Sequence, residues 1–450
     1  SASIFLTPEY QIEANSFYLH NLNGSVKTVD DLGKIPMVDV NALLPSFTGA
    51  DGALHPLVEL LPDGTIHFLG EDNFFGNTMV LGGTDANDKL MAGQADDDTV
   101  WGDGGDDIID GGGGNDNLFG GDGNDILSNS NSSIGTVFDG DAGDDIIYGS
   151  KGDDTINGGD GGDLIYGGQG VDDIIGGAGN DIIYGGEGGE EIQGDQGDDW
   201  IDGGADGGDV LFGDVGAPTG GFPLYAGNDV MIGGVGAFMK GFSGDDIMLG
   251  TGGHLKFDGG LGFDWASFEQ DTQGVDIGMA RREFISALNP AGGDGFRDIY
   301  QLTEGASGSQ YGDVIRGDNK TRVVIARNTM ENPTLIKGLA DFGGDFATIV
   351  NPVNGNGTTE GNFFLSGLPT GAVFVAPAGR QAAGEFGGNI LLGAGGDDII
   401  SGGAGNDILD GDAYLHVELL KNAAGQIGLG SEILREIRYD TTVGNVDTAQ

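Results

Sequence analysis

Acids recur at every ninth residue along much of this chain. Asp98, Asp107, Asp116 and Asp125 form one run, and Asp145, Asp154, Asp163, Asp172, Asp181, Glu190 and Asp199 form a second. Each stands at the sixth place of a unit such as Gly140-Asp-Ala-Gly-Asp-Asp-Ile-Ile-Tyr148, with glycine at the first place, glycine at the fourth in all but the Asp98 unit, and an aliphatic residue at the eighth. Glycine-rich turns use dihedrals open mainly to glycine, and so aim main-chain carbonyls into the gap between stacked loops. Carboxylate and carbonyl oxygens, with no His or Cys among them, select a hard cation. Calcium accepts about six to eight oxygens, whereas magnesium keeps water and demands stricter geometry. The expected chemistry is calcium binding, each ion lying between the loops of alternate repeats. Asp145 then works with Asp163 and Asp181, and Asp154 with Asp172 and Glu190.

The same place adds Asp88, Asp209, Asp229, Asp246 and Asp264 in looser units, and Asp398 and Asp407 in a returning clean block, as candidate ligands. The units at Asp229, Asp246, Asp264 and Asp313 are interrupted, so a solvated acidic face stays open there as an alternative. In the clean runs that alternative fails, because a random acidic surface has no glycine beat. Asp110, Asp122, Asp141, Asp160, Asp195 and Asp202 stand off the sixth place and are expected to face solvent.

A nine-residue period is too short for a helical repeat and fits a β-solenoid. Two units make one coil of two short strands and two loops. Strand neighbours face opposite ways, so the eighth-place side chain alone is expected to point inward. Those residues are Val100, Ile109, Leu118, Leu127, Ile147, Ile156, Ile165, Ile174 and Ile183, all aliphatic. The expected fold is all-β: a right-handed parallel β-roll, a calcium-binding β-solenoid with loop excursions and non-repetitive caps. Coils should rise by about 4.8 Å. Tyr148, Tyr166 and Tyr184 then stack on one outer face, as do Trp101 and Phe119. Such a ladder steadies neighbouring coils; a docking strip is the sharper reading.

The chain divides accordingly. Residues 1–77 read as a lead or cap segment, with a strand, turn and strand across Leu57–Leu61 and Thr65–Leu69. Residues 78–215 hold the regular roll, broken at Ser128–Ser133. Residues 216–318 carry degenerate repeats and loops such as Val215–Tyr225. Residues 319–385 form a non-repetitive excursion with a short helix over Pro333–Phe342. Clean repeats return over 386–412. Residues 413–450 form a second cap or the start of another domain, with a strand at Tyr414–Leu420 and a helix at Ser431–Ile437.

Composition narrows the function. The formal charge is −54 over 450 residues, and residues 85–214 carry 33 acids against two bases. Phosphate would be repelled, which excludes nucleic acid as a partner. Carboxylates at this density repel one another, so the bare chain should stay open until a multivalent cation arrives. No apolar run reaches membrane-spanning length. There is no cysteine, and the five histidines are scattered. No His-Glu-x-x-His or Gly-x-Ser-x-Gly motif occurs, so this chain is expected not to be an enzyme. With no basic-then-apolar leader and no initiator Met, it reads as a piece of a longer protein.

Units such as Gly176-Gly-Ala-Gly-Asn-Asp-Ile-Ile-Tyr184 and Gly402-Gly-Ala-Gly-Asn-Asp-Ile-Leu-Asp410 resemble repeats-in-toxin, or haemolysin-type, calcium-binding sequences. That resemblance implies export by a type I secretion system, an unfolded chain inside the cell and folding on calcium outside it or at the cell surface. A further similarity, to the calcium-binding region of large bacterial animal-type haem peroxidases, lies in Pro56-Leu-Val-Glu-Leu-Leu-Pro-Asp-Gly-Thr-Ile-His-Phe68, Leu81-Gly-Gly-Thr-Asp85, Gly262-Phe-Asp-Trp-Ala-Ser-Phe268 and Leu409-Asp-Gly-Asp-Ala-Tyr414. It implies a non-catalytic module beside neighbouring enzyme domains of the same chain. The alternative is a surface-layer or adhesin segment that self-assembles in calcium.

Overall fold

The computed structural model describes residues 79–92, 97–206 (131 apart), 208–214, 227–251, 255–279 (262 apart), 299–301, 303, 305–317, 389–401 (397 apart) and 408–439, with Ile336, Lys337 and a few short strands elsewhere. Every regular element among them is a β-strand. The helix expected over Pro333–Phe342 and the loop Val215–Tyr225 lie outside the described residues, as do most of 1–77 and of the 319–385 excursion. The chain falls into two units, Ser1–Ile192 and Gln193–Gln450.

In the first unit two parallel sheets are wound from one continuous spiral. One sheet contains Met79–Thr84, Thr99–Gly104, Asn117–Asp122, Val137–Ala142, Thr155–Asp160 and Asp173–Ala178 in that order; the other contains Lys89–Met91, Ile108–Asp110, Ile126–Ser128, Ile146–Tyr148, Leu164–Gln169 and Ile182–Glu187. Partners are one coil apart: Ile156 faces Ile174, and Ile165 faces Ile183. This is the parallel β-roll that the nine-residue period requires. Val58–Leu60 and Thr65–Phe68 form the expected antiparallel pair, and Thr65 and Ile66 pair with Lys89 and Leu90.

The eighth-place side chains fill the roll. Val100, Ile109, Leu118, Leu127, Ile147, Ile165, Ile174 and Ile183 are fully buried, and Ile156 nearly so. Each buried aliphatic of this size contributes about 1.5–3 kcal/mol over its exposed state. Outside, Tyr148, Tyr166 and Tyr184 stack with centroids 5.3 and 5.2 Å apart and planes within 9°. Trp101 and Phe119 do the same at 5.5 Å. These spacings follow the strand separation, as ladder contacts must.

The second unit repeats the plan with a thicker core. Trp200–Asp202, Val230–Gly233, Ile247–Gly250, Trp265–Ser267, Gly305–Ser307, Ile390–Leu392 and Ile408–Asp410 succeed one another in one sheet. Gly305–Ser307 pairs directly with Ile390–Leu392, so the excursion leaves between two adjacent coils. Trp265, Phe257, Met231, Met239 and Met248 are buried where the first unit has aliphatics.

Two expectations are corrected. Residues Ser431–Ile437 are not helical: Ile433–Tyr439 is a strand, paired antiparallel along its whole length with Ala413–Leu419. A seven-residue helix is marginal alone, whereas this hairpin satisfies the backbone and buries Leu415, Val417 and Leu419. The eighth place is also not alone in facing inward. The sixth place lies two residues earlier on the same side of the pleat, and its acids are buried too.

Core and surface positions should separate in mutation. Ile165→Ala is expected to cost about 2–5 kcal/mol by urea denaturation in calcium-containing buffer. Ile175→Ala, at a residue 38% exposed, should stay within about 0.5 kcal/mol.

Candidate metal centres

Buried acids line the roll at each coil. Asp98, Asp107, Asp116, Asp125, Asp145, Asp154, Asp163, Asp172, Asp181, Glu190 and Asp199 are at most 2% exposed, as are Asp209, Asp229, Asp246 and Asp264. Asp398 is buried and Asp88 half-buried; Asp407 lies outside the described residues. The off-beat acids Asp122, Asp141 and Asp160 are exposed, and Asp110, Asp195 and Asp202 half-buried.

In most of these acids one carboxylate oxygen is committed to the fold. The Asp145 N–H donates to Asp163 Oδ1 at 2.8 Å, and the Asp163 N–H to Asp181 Oδ1 at 2.8 Å. The Thr136 N–H reaches Asp154 Oδ1 at 2.7 Å, and the Asp154 N–H reaches Asp172 Oδ1 at 2.9 Å. The carboxylates therefore stack one coil apart, in the alternate-repeat pairing that the period predicts.

The other oxygen faces a recess. Oδ2 of Asp107, Asp125, Asp145, Asp163, Asp172, Asp229 and Asp246 is buried with no hydrogen-bond partner. It lies against the glycine that opens its own unit, beside the carbonyl of the corresponding glycine one coil on. A β-carbon on Gly158 would collide with both Asp163 Oδ2 and the Gly176 carbonyl; one on Gly140 would strike Asp145 Oδ2 and the Gly158 carbonyl. The first-place glycine is thus required by close approach. The second place needs left-handed backbone instead: φ is 116° at Gly177 and 69° at Asp141.

This recess fits a hard cation. It joins a buried carboxylate oxygen to main-chain carbonyls, in a cradle that a side chain would fill. Among the described residues no three His, Cys, Asp or Glu side chains converge on one point, so carbonyls must supply most donors, which suits calcium better than zinc.

Without a cation several of these carboxyls keep their protons to higher pH than an ordinary carboxylate does. Burial, reinforced by Asp163 and Asp125, pushes Asp145 up to about 8. Burial chiefly raises Asp107, Asp116 and Asp172 to about 7, and Asp125 and Asp163 to about 6, against the backbone hydrogen bonds that lower them. Asp229 and Asp246 are raised well above the ordinary carboxylate range by burial and by neighbouring acids.

Several site residues escape a reading by period. The fifth place forms a second ladder: the Gly162 N–H donates to Asp144 Oδ1 at 3.0 Å and the Val171 N–H to Asp153 Oδ1 at 2.8 Å. The Asp-Asp pairs therefore split, one acid holding the outer ladder and one facing the recess. Asp214 is buried beside the Gly227 N–H and Ser243. Arg435, on the C-terminal hairpin, is buried and donates to the Asn228 carbonyl at 2.5 Å. Burial lowers its pKa, opposed by Asp198, Asp229 and Asp246. Its only sequence signal is a base in an acidic chain.

Fold and recess together define a β-roll whose stacked loops enclose oxygen-lined recesses suited to a hard cation. The sequence comparison agrees: the family model of the RTX calcium-binding nonapeptide repeat matches residues 82–116, 92–127, 139–174, 158–189, 166–201, 184–219 and 384–413. The chain carries RTX calcium-binding repeats over these segments, and such repeats imply a calcium-binding module. A search of curated proteins found no match. Asp229, Asp246 and Asp264 fall outside the matched segments yet are fully buried as the others are.

The raised carboxyls fix a pH dependence for the metal-free chain. Their folded values, about 6 to 8, exceed the unfolded value of 3.8. The folded form therefore keeps protons that the unfolded form has lost, and stability falls as pH rises through that window. In chelator, circular dichroism should show β structure growing as pH is lowered from about 8 towards 5. Growth of β signal with rising pH would contradict the assignment.

Proposed function

We propose that this chain is the calcium-binding module of a large secreted bacterial protein. It folds cooperatively on calcium outside the cell, is itself non-catalytic, and is attached to an enzyme such as a haem peroxidase. The observation that carries this reading is the repeated recess in which a buried Oδ2 meets carbonyls across a glycine. Asp107, Asp125, Asp145, Asp163, Asp172, Asp229 and Asp246 are the acids whose second oxygen would take an ion. Sequence position extends the set to Asp88, Asp98, Asp181, Glu190, Asp199, Asp209, Asp264, Asp398 and Asp407.

A bound ion supplies positive charge where the carboxylate stack would otherwise need protons. Because the recess takes a carboxylate oxygen from one coil and a carbonyl from the next, it exists only in the wound chain. Ions that bind only the folded form stabilise it by mass action. A chain of this kind stays open where calcium is scarce and winds where it is plentiful, which suits passage through an export channel before folding. Extracellular placement is supported by the repeat family, which is typical of secreted proteins. Attachment to a peroxidase is supported by the motif resemblance at Pro56–Phe68 and Gly262–Phe268.

At neutral pH in chelator the chain should give a mostly unordered circular dichroism spectrum, and calcium should raise β signal in a steep, cooperative step. Asp163→Ala should shift that step to several-fold higher calcium, because it removes a charged ligand. Asp160→Ala, at an exposed acid, should shift it little. A folded chain in chelator, or equal shifts, would sink the proposal.

A further inference from the structure

At three of the buried sixth-place carboxylates the second oxygen, too, meets a donor of the chain itself. In loop 149–154 the Ser150 N–H donates to Asp154 Oδ2 at 2.6 Å and its hydroxyl donates to Oδ1 at 2.9 Å. In loop 308–313, in the second unit, Ser309 makes the same two bonds to Asp313, at 2.7 and 2.9 Å. Each serine hydroxyl also accepts an N–H from two residues on, Gly152 at 3.1 Å and Tyr311 at 3.2 Å. At Asp116 the donor is the Asn129 amide, which reaches Oδ2 at 2.7 Å and also binds the Thr136 hydroxyl at 2.8 Å and the Gly114 carbonyl at 3.2 Å.

The backbone of the two serine loops differs to match. In regular loops the second and fourth places are left-handed, as at Gly159 and Gly161 (φ 119° and 143°) and at Gly177 and Gly179 (φ 116° and 145°). Ser150 and Gly152, and Ser309 and Tyr311, all lie outside that region. The turn is re-aimed, so that an N–H faces the carboxylate from within its own loop. An N–H carries partial positive charge and repels a cation from the position it occupies.

We propose that Asp116, Asp154 and Asp313 are held without an ion. The chain's own donors replace it, and serine at the second place of a unit marks a coil that closes without calcium. This rests on the reading that the other recesses hold calcium. It makes Ser150 and Ser309 determinants of how many ions the roll takes, and it gives each unit a coil whose carboxylate is satisfied before any ion arrives.

The test is the number of calcium ions bound per full-length chain at saturation, by equilibrium dialysis with radioactive calcium, folding being checked by circular dichroism. Ser150→Gly restores the Gly-Gly-x-Gly-x-Asp pattern and should bind one ion more than the unaltered chain. Asp154→Asn should bind the same number as the unaltered chain, and Asp163→Asn one fewer. An unchanged count in Ser150→Gly, or the loss of an ion in Asp154→Asn, overturns the inference. If either variant fails to fold, the other decides. Should the unaltered chain bind no calcium, the calcium-module reading itself has failed, an outcome distinct from these.

Discussion

The structure turns on one constraint: a carboxylate is buried at every ninth residue, and only one of its oxygens is satisfied by the ladder. A buried polar atom left without a partner costs about 1–3 kcal/mol, more when charged. Domain stability is only about 5–15 kcal/mol. Seven such oxygens, at Asp107, Asp125, Asp145, Asp163, Asp172, Asp229 and Asp246, are enough to cancel it. The wound chain therefore exists only where something relieves each carboxylate. Chemistry offers three reliefs: a proton, a cation, or a donor from the chain. The raised carboxyls favour the first, the glycine-lined recesses are shaped for the second, and Ser150, Ser309 and Asn129 provide the third.

The same constraint dictates the rest of the unit. The first place must lack a β-carbon because Oδ2 and a carbonyl crowd it, as at Gly158. In the regular loops the second and fourth turn left-handed, as at Gly177 and Gly179. The fifth carries an outer ladder, as Asp144 does for Gly162. The eighth fills the core. Only the third, seventh and ninth places are left to vary, and the tyrosine ladder at Tyr148, Tyr166 and Tyr184 occupies the ninth. A sequence with so few free positions is necessarily legible: period, fold and inward aliphatics follow from spacing alone.

Legibility failed where geometry departs from spacing. Asp163 lies two residues before Ile165 on the same side of the pleat, but an acid carries no hydrophobic signal that it faces inward. Ser150 differs from its neighbours by a single glycine replaced, and nothing in the period says that its N–H turns to face Asp154. Asn129 comes from a polar break and looks like loop filler. Asp313 bonds to Asp398 across 85 residues, a separation that no local pattern reports. At Ile433–Tyr439 the apolar spacing admits helix or strand, and the pairing with Ala413–Leu419 decided it.

The chain-supplied donors fall where the beat is broken. Asn129 lies inside the interruption Ser128–Ser133. Ser150 belongs to the loop stacked on the irregular one that follows, and its hydroxyl lies 3.3 Å from the Ile134 carbonyl. Ser309 stands just before the 319–385 excursion, in the coil to which the chain returns at Ile390–Leu392. An ion needs carbonyls in register from both flanking coils, and an insertion puts that register at risk. Loop-closure entropy grows only slowly with length, so a solenoid tolerates long insertions, provided that the coils on either side are pinned. Asp313 meets this need: it accepts N–H groups from Val275 and Ser309, and its own N–H donates to Asp398 across the insertion. A carboxylate fastened in this way keeps neighbouring coils in step where the chain leaves and re-enters the roll, and so lets a repeat that depends on ions carry segments that do not repeat.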